Sequence, residues 1–250
     1  MHRHQGSIKT SNNLAPDRGN TALDASMTKS SRSTARPAAE PDVRPPLSTP
    51  DRILLAAEQL FSERGVDGVS LREITSTSGV NSAAAHYHFG SKLAVLEQLF
   101  ELRAKPIAQQ RLTLLSALRY NRQGRPVLED VLRAFLQPAL EALSTPEGIA
   151  FTRLRARLSF ENEAVRRHVL DKTFNHSSRL TLEALRKALP QLPAEELNWR
   201  FHFLLGSMVY TMALPGRIES LTDEQVDTRD WTVALNQLVA YAAAGFRAAT

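Results

Sequence analysis

A chain of 250 residues with 42% hydrophobic side chains is long enough for one large domain or two modest ones around a real core. It has no cysteine, which excludes disulfides, thiolate metal sites and a cysteine nucleophile, and no run of about 18 apolar residues, which excludes a membrane-spanning helix. The formal net charge of +5 invites a nucleic-acid partner, yet more than half of that excess lies in the first fifty residues, where seven Lys and Arg face four Asp and Glu. No apolar segment with a small-residue cleavage site opens the chain, so the expected location is the cytoplasm.

Residues 1–48 are rich in Ser, Thr, Ala, Pro and Arg, and "RPAAEPDVRPPLSTP" would interrupt any helix repeatedly. A disordered leader is the expectation. Met27 is a second candidate start within it, and its arginines would also suit a flexible arm that reaches a minor groove. From Thr49 the periodicity becomes helical. "TPDRILLAAEQLFSERG" predicts a helix with Thr49 as N-cap, Pro50 at the first helical position, Asp51 in the first turn and Gly65 as the stop. Ile53, Ala57, Leu60 and Phe61 fall on one stripe. Ser70 and Glu73 have capping-box spacing at the head of a second helix, a third should open at Asn81 after the turn at Gly79, and a fourth at Ser91 or Lys92.

Further helices are predicted over 92–120, bent or split at Pro106, and over 126–143, 147–160, 163–189, 194–215 and 230–248. Strand signals nearly vanish and no 20–50-residue repeat is visible, so the fold class is all-α and not a solenoid.

Three short helices in some forty residues, the last two joined by the tight "TSTSGVN" turn, meet the requirements of a helix-turn-helix. Leu71, Ile74 and Val80 would pack with Leu60 and Phe61 beneath a third helix held on the outside. That helix, in "GVNSAAAHYHFGSK", has the character of a rod that enters a major groove. Ala83, Ala84 and Ala85 keep it slim, and Asn81 and Ser82 put short donors and free N–H groups at its start. His86 and Tyr87 would reach outward, Tyr87 by its hydroxyl to a phosphate. Phe89 would turn inward, and Lys92 would meet a phosphate at the start of the next helix. Ser70 and Arg72, at the head of the second helix, complete the expected DNA-binding set of Ser70, Arg72, Asn81, Ser82, Ala83, His86, Tyr87 and Lys92.

From about Pro50 to Leu99, over "ILLAAEQLFSERGVDGVSLREI", "SGVNSAAAHYHFGSK" and "LAVLEQLF", the chain resembles the tetracycline-repressor (TetR) family of bacterial transcriptional regulators. The resemblance implies an all-helical homodimer. Its N-terminal helix-turn-helix would bind a palindromic double-stranded DNA operator, and a variable C-terminal helical bundle would bind a small-molecule effector. The implied division is a leader over 1–48, a DNA-binding domain over 49–95 and an effector-binding and dimerisation domain over 96–250. The usual recognition helix of this family has an aromatic where His86 stands, so this chain carries the variant with Tyr-His-Phe at 87–89. "FTRLRARLSFEN" and "FHFLLGSMVYTMAL" look similar to a subgroup linked to fatty-acid metabolism, which implies a fatty acyl effector.

His86 and His88 stand two apart, about 200° on a helix, and cannot share a metal. No H-E-x-x-H, Gly-rich phosphate loop or nucleophile elbow is present, so neither cofactor, metal nor catalysis is expected. Arg153 and Arg157, four apart, could present charge to an acidic effector, and the plain alternative is a solvated basic face. Trp199, Phe203 and Met208 could line its cavity, or simply be core. Leu204, Met208 and Thr211 on one helix, with Leu235, Leu238, Ala242 and Phe246 on the last, are the expected dimer interface. Two helices per subunit would then form a four-helix bundle, although the same stripes would also suit burial within one subunit. The competing functional class is a helical ligand-binding protein or enzyme that retains a helix-turn-helix-like N-terminus.

Overall fold

A computed structural model describes residues 47–214 and 216–248, so the leader expected over 1–48 lies outside the described residues but for Leu47 and Ser48. The described residues hold eleven α-helices and no strand, and a single antiparallel bridge joins Tyr120 to Pro126. The class is all-α, as the sequence predicts.

Helix α1 (Thr49–Arg64) begins one residue earlier than expected. Ser48 is the N-cap, accepting from the Asp51 N–H at 3.3 Å, and Thr49 is already helical. Pro50 still sits in the first turn, where a missing N–H costs nothing. Gly65 ends the helix in the left-handed region at φ 76°, and an added Cβ there would meet Glu161 Oε1 at 2.9 Å. Helices α2 (Leu71–Ser78) and α3 (Ser82–His88) follow, then α4 (Lys92–Ser116), capped by Ser91.

Pro106 neither splits α4 nor ends it, although the helix stops at Ser116, short of the expected 120. Pro106 lies on the exposed side, so the carbonyl it leaves without a donor can meet water. Ala104 and Ile107 on the opposite side are buried and hold the run together. The later helices are α5 (Leu128–Glu141), α6 (Pro146–Leu158), α7 (Glu163–Arg166), α8 (Lys172–Ala188), α9 (Ala194–Ala213), α10 (Arg217–Leu221) and α11 (Trp231–Arg247). The predicted helix over 163–189 is one continuous run whose middle, Arg167–Asp171, is wound as a π-helix between α7 and α8. Short α10 went unforeseen because its segment reads as a connection.

The buried side chains form two clusters. One joins α1 (Ile53, Ala57, Phe61), Ile74 of α2, Ala85 of α3 and the first half of α4 to Phe151, Leu154 and Leu158 of α6 and Phe174 of α8. The other is built from α5, α9, α11 and the end of α8. A division at residue 95 is therefore not a packing boundary: α6 completes the core beneath the helix-turn-helix, and α4 runs from that core to α5.

Candidate nucleic-acid interface and interior cavity

The turn between α2 and α3 is set by backbone chemistry. Gly79 takes the left-handed conformation (φ 61°, ψ 31°), its N–H donates to Ser76 O, and the Val80 N–H donates to Thr75 O at 3.0 Å, a Schellman ending. Arg52, reaching across from α1, donates through Nη2 to Ser78 O at 2.6 Å and Gly79 O at 3.0 Å. One guanidinium thus satisfies the carbonyls at the end of α2 and pins the platform helix to the turn. The head of α2 carries the expected capping box. Ser70 Oγ accepts from the Glu73 N–H, and Glu73 Oε2 accepts from the Ser70 N–H at 2.8 Å. The Ser70 hydroxyl, which also donates to Glu73 Oε2, then the Ser70 N–H and the nearby Arg64 at 2.9 Å, hold the Glu73 carboxyl down at about 2.

Of the sequence-predicted DNA contacts, Asn81, Ser82, Ala83, His86 and Tyr87 all stand exposed on α3. Asn81 is the N-cap, its Oδ1 accepting from the Ala83 N–H at 2.8 Å. Ala85 is fully buried and Phe89 packs on the core beside it, so only Ala83 and, in part, Ala84 thin the outward face. His86 Nδ1 lies 3.2 Å from Gly90 O. A carbonyl can only accept, so the proton belongs on Nδ1, and Nε2 of the neutral ring is left as an outward acceptor. Arg72 is exposed. Ser70 has its hydroxyl committed to the capping box, donating to Glu73 Oε2 at 2.7 Å. Lys92 is half-buried and donates to Val66 O at 2.7 Å, which occupies one of its three N–H bonds.

Three long-range ties around α1 and α4 were not foreseen. Val66, in the turn after α1, has its carbonyl held by Lys92 and its N–H held by Glu161 Oε1 at 3.0 Å. Glu58 of α1 is buried and receives a two-pronged bond from Arg103 of α4, at 3.0 and 2.8 Å; burial raises its pKa against the pull of that guanidinium. His168 of the π turn contacts Glu97 of α4.

A cavity of about 390 Å³ lies among α4, α5, α6, α8 and α9, reaching the surface beside the exposed Asn175 and Arg179. Met208 lines it, as expected, whereas Arg153 and Arg157 line a separate cleft of about 650 Å³ with Phe160 and Tyr210. Both arginines are exposed, and the buried arginine of that helix is Arg155, two residues from each and so on its opposite side. It is joined by Arg111 of α4, which is fully buried. The signal was available: Phe151, Leu154, Arg155 and Leu158, like Ala104, Ile107 and Arg111, continue a buried stripe at helical spacing. Trp199 and Phe203 stand on the outside of α9 at 54% and 62% exposure, away from this cavity, and Phe203 borders a separate groove of about 300 Å³ with Tyr241 and Phe246.

The expected dimer stripe is corrected in the opposite sense. Leu204, Met208, Leu235, Leu238, Ala242 and Phe246 are buried within the subunit's own core, and Thr211 is half-buried. Packing α9 and α11 against α5 consumes those faces. What α9 and α11 turn outward is Trp199, Phe203, Tyr210 and Tyr241. Trp199 and Phe203 stack with ring centroids 6.0 Å apart. Among the described residues no helix is long and apolar enough to cross a membrane.

Residues 53–99 match the family model described as bacterial regulatory proteins, tetR family, and residues 133–245 match one described as a tetracyclin repressor-like C-terminal domain. The HTH-type transcriptional repressor BepR of Brucella suis biovar 1 (strain 1330) is 33% identical over 117 residues, which are 46% of this chain and 53% of BepR. The matched segment thus spans about half the length of that curated relative. Among solved structures, the regulator PfmR from Thermus thermophilus has a TM-score of 0.56 at 18% identity, over 82% of this chain and 98% of PfmR. The fatty acid degradation regulator FadR from Bacillus halodurans has 0.56 at 15%, over 82% of this chain and all (100%) of FadR. At such identities the likeness speaks for the fold alone. With both of its helical regions matched to one family and the helix-turn-helix formed as that family requires, the chain belongs to the TetR family of bacterial regulatory proteins.

Proposed function

We propose that the protein is a homodimeric transcriptional repressor that binds a palindromic operator through α3 and leaves it when a small molecule enters the interior cavity. The carrying observation is the outward face of α3. Asn81, Ser82, Ala83, His86 and Tyr87 are exposed together on a short helix whose inner side, Ala85 and Phe89, is anchored in the core. Small and polar groups outside, with a locked helix angle beneath, are what close approach to base edges and phosphates requires. Such work is binding and needs no catalysis.

Dimerisation falls to the outer faces of α9 and α11, where Trp199, Phe203, Tyr210 and Tyr241 are unusually exposed for aromatic residues. A twofold pair would present its two recognition helices to successive major grooves roughly 34–36 Å apart. Effector entry is felt by α4, which contributes Arg111 to the cavity wall and Lys92 and Arg103 to the helix-turn-helix. A ligand that fits one tilt of α4 better than another shifts operator occupancy, typically by about 5–150-fold.

The test is a mobility-shift titration on the DNA upstream of the gene with wild type, Tyr87→Phe and Lys92→Ala. Both substitutions should weaken binding, and the lysine change should also lower the salt slope by about one unit. Unchanged affinity in both would overturn the contact assignment. Failure of the wild type to prefer that DNA over an unrelated fragment would favour the ligand-carrier reading.

A further inference from the structure

We infer that the interior cavity takes an organic carboxylate: a small amphipathic acid whose head is held by Arg111 and Arg155 and whose apolar body lies among Phe135, Phe174 and Phe201. This rests on the ligand-responsive reading above and names the chemistry of the ligand.

The argument begins with two cations that lack a counter-ion. Arg111 is 0% and Arg155 is 5% exposed, and both line the cavity. Among the described residues neither forms an ion pair. Arg111 donates through Nε to Phe135 O at 2.9 Å, and its Nη2 finds only the Met208 thioether at 3.6 Å. Arg155 Nη1 faces the Met212 thioether at 3.8 Å. A thioether is a poor acceptor, so most of the N–H donors of this pair are unspent. Both guanidiniums also lie over the Phe174 ring, at 5.5 and 4.2 Å from its centroid. A ring face offsets only a fraction of what burying an ion costs. Desolvation pushes Arg155 down to about 10, and desolvation, with repulsion from Arg155 added, pushes Arg111 well below the usual guanidinium range.

A buried, unpaired charge is so unfavourable that structures pair it or remove it. Two of them on the wall of one cavity, with the exposed Arg179 as a third cation at its edge, call for an anion supplied from outside. The rest of the wall chooses the kind. Phenylalanine, Leu170, Leu182 and Leu205 would bury a hydrocarbon body, and a carboxylate can give one oxygen to each guanidinium fork. Asp171 stands at the cavity too, but it faces Arg166 at 3.9 Å. The volume of about 390 Å³ lies within the range of small-molecule sites. The π turn supplies Leu170 and Asp171 to the same wall, a backbone irregularity of the kind that gathers at ligand sites.

The experiment is calorimetric titration of the full-length protein with decanoate and 4-phenylbutyrate, each against its neutral amide, in wild type, Arg111→Met and Arg155→Met. At least one acid should bind, at least about tenfold more tightly than its amide, and each methionine variant should lose at least about tenfold for the acid while leaving the amide unmoved. Melting temperatures of the variants should hold or rise, because a buried uncompensated cation has gone. Equal binding of acid and amide by wild type, or no binding of either acid, would overturn the inference without any variant being needed. A strong fall in melting temperature in both variants would assign the arginines to the fold and overturn it as well. Acid binding by a protein that ignores operator DNA would leave this inference standing and remove the repressor reading. Operator binding by a protein indifferent to the carboxylate would do the reverse.

Discussion

Three alanines stand in a row on α3, and the structure gives them different work. Ala83 is exposed at the start of the outward face, Ala84 is half-buried and Ala85 is sealed in the core. Enlarging them should therefore give opposite readouts. Ala83→Leu should leave the melting temperature within a degree or two while reducing operator affinity. Ala85→Leu should cost about 1–3 kcal/mol of stability by overpacking, which chemical denaturation would show. If the first variant lost stability and the second kept it, the orientation assigned to α3 would be wrong. Glu73 offers a second check at this scale. Its folded pKa of about 2 lies below the ordinary value near 4.5, so the stabilisation it gives is present above the ordinary value and is lost as pH falls from there towards 2. Glu73→Gln should flatten that part of the stability–pH curve. A curve identical to wild type between pH 2 and 4.5 would refute the linkage.

Between α1 and α4 the Glu58–Arg103 pair ties the helix-turn-helix to the helix that enters the cavity wall. Arg103→Ala strands a carboxyl group that is 1% exposed. It should cost about 2–3 kcal/mol, below the roughly 3–5 of a wholly buried pair because Arg103 keeps a third of its side chain in water. A loss under half a kcal/mol, measured by urea unfolding, would count against the pair as a structural tie. Such links mark the limit of what the sequence discloses. The capping box at Ser70–Glu73, the glycine stop at Gly79 and the outward set on α3 are local, written within a few residues by cap chemistry and spacing, and they were legible. Arg52 reaching Ser78, Glu161 reaching Val66 and Arg103 reaching Glu58 join residues far apart in the chain, and no periodicity announces them. The arginines of α6 show a third case. Arg153, Arg155 and Arg157 look alike as a basic run, and only the buried stripe through Phe151, Leu154 and Leu158 separates the inner one from its neighbours.

For the whole molecule the open question is what covers the aromatic faces of α9 and α11, and the proposed twofold partner answers it. Phe203→Glu would place a charge in the middle of that face. It should yield a monomer at micromolar concentration by sedimentation velocity, with an unchanged helical signal and much weaker operator binding, because one recognition helix alone spans half a site. A variant that stayed dimeric would move the interface elsewhere. The run from Glu163 to Ala188 meanwhile carries a surplus residue in its π turn, so α7 and α8 are out of phase by about 100° compared with an unbroken α-helix. The offset sits between His168, which touches Glu97, and Phe174, which lies against the two arginines. A rod cut with such a misstep does not bend by degrees: squeezing out the extra residue would rotate one length against the other by more than a quarter revolution, carrying His168 off Glu97 in a single notch.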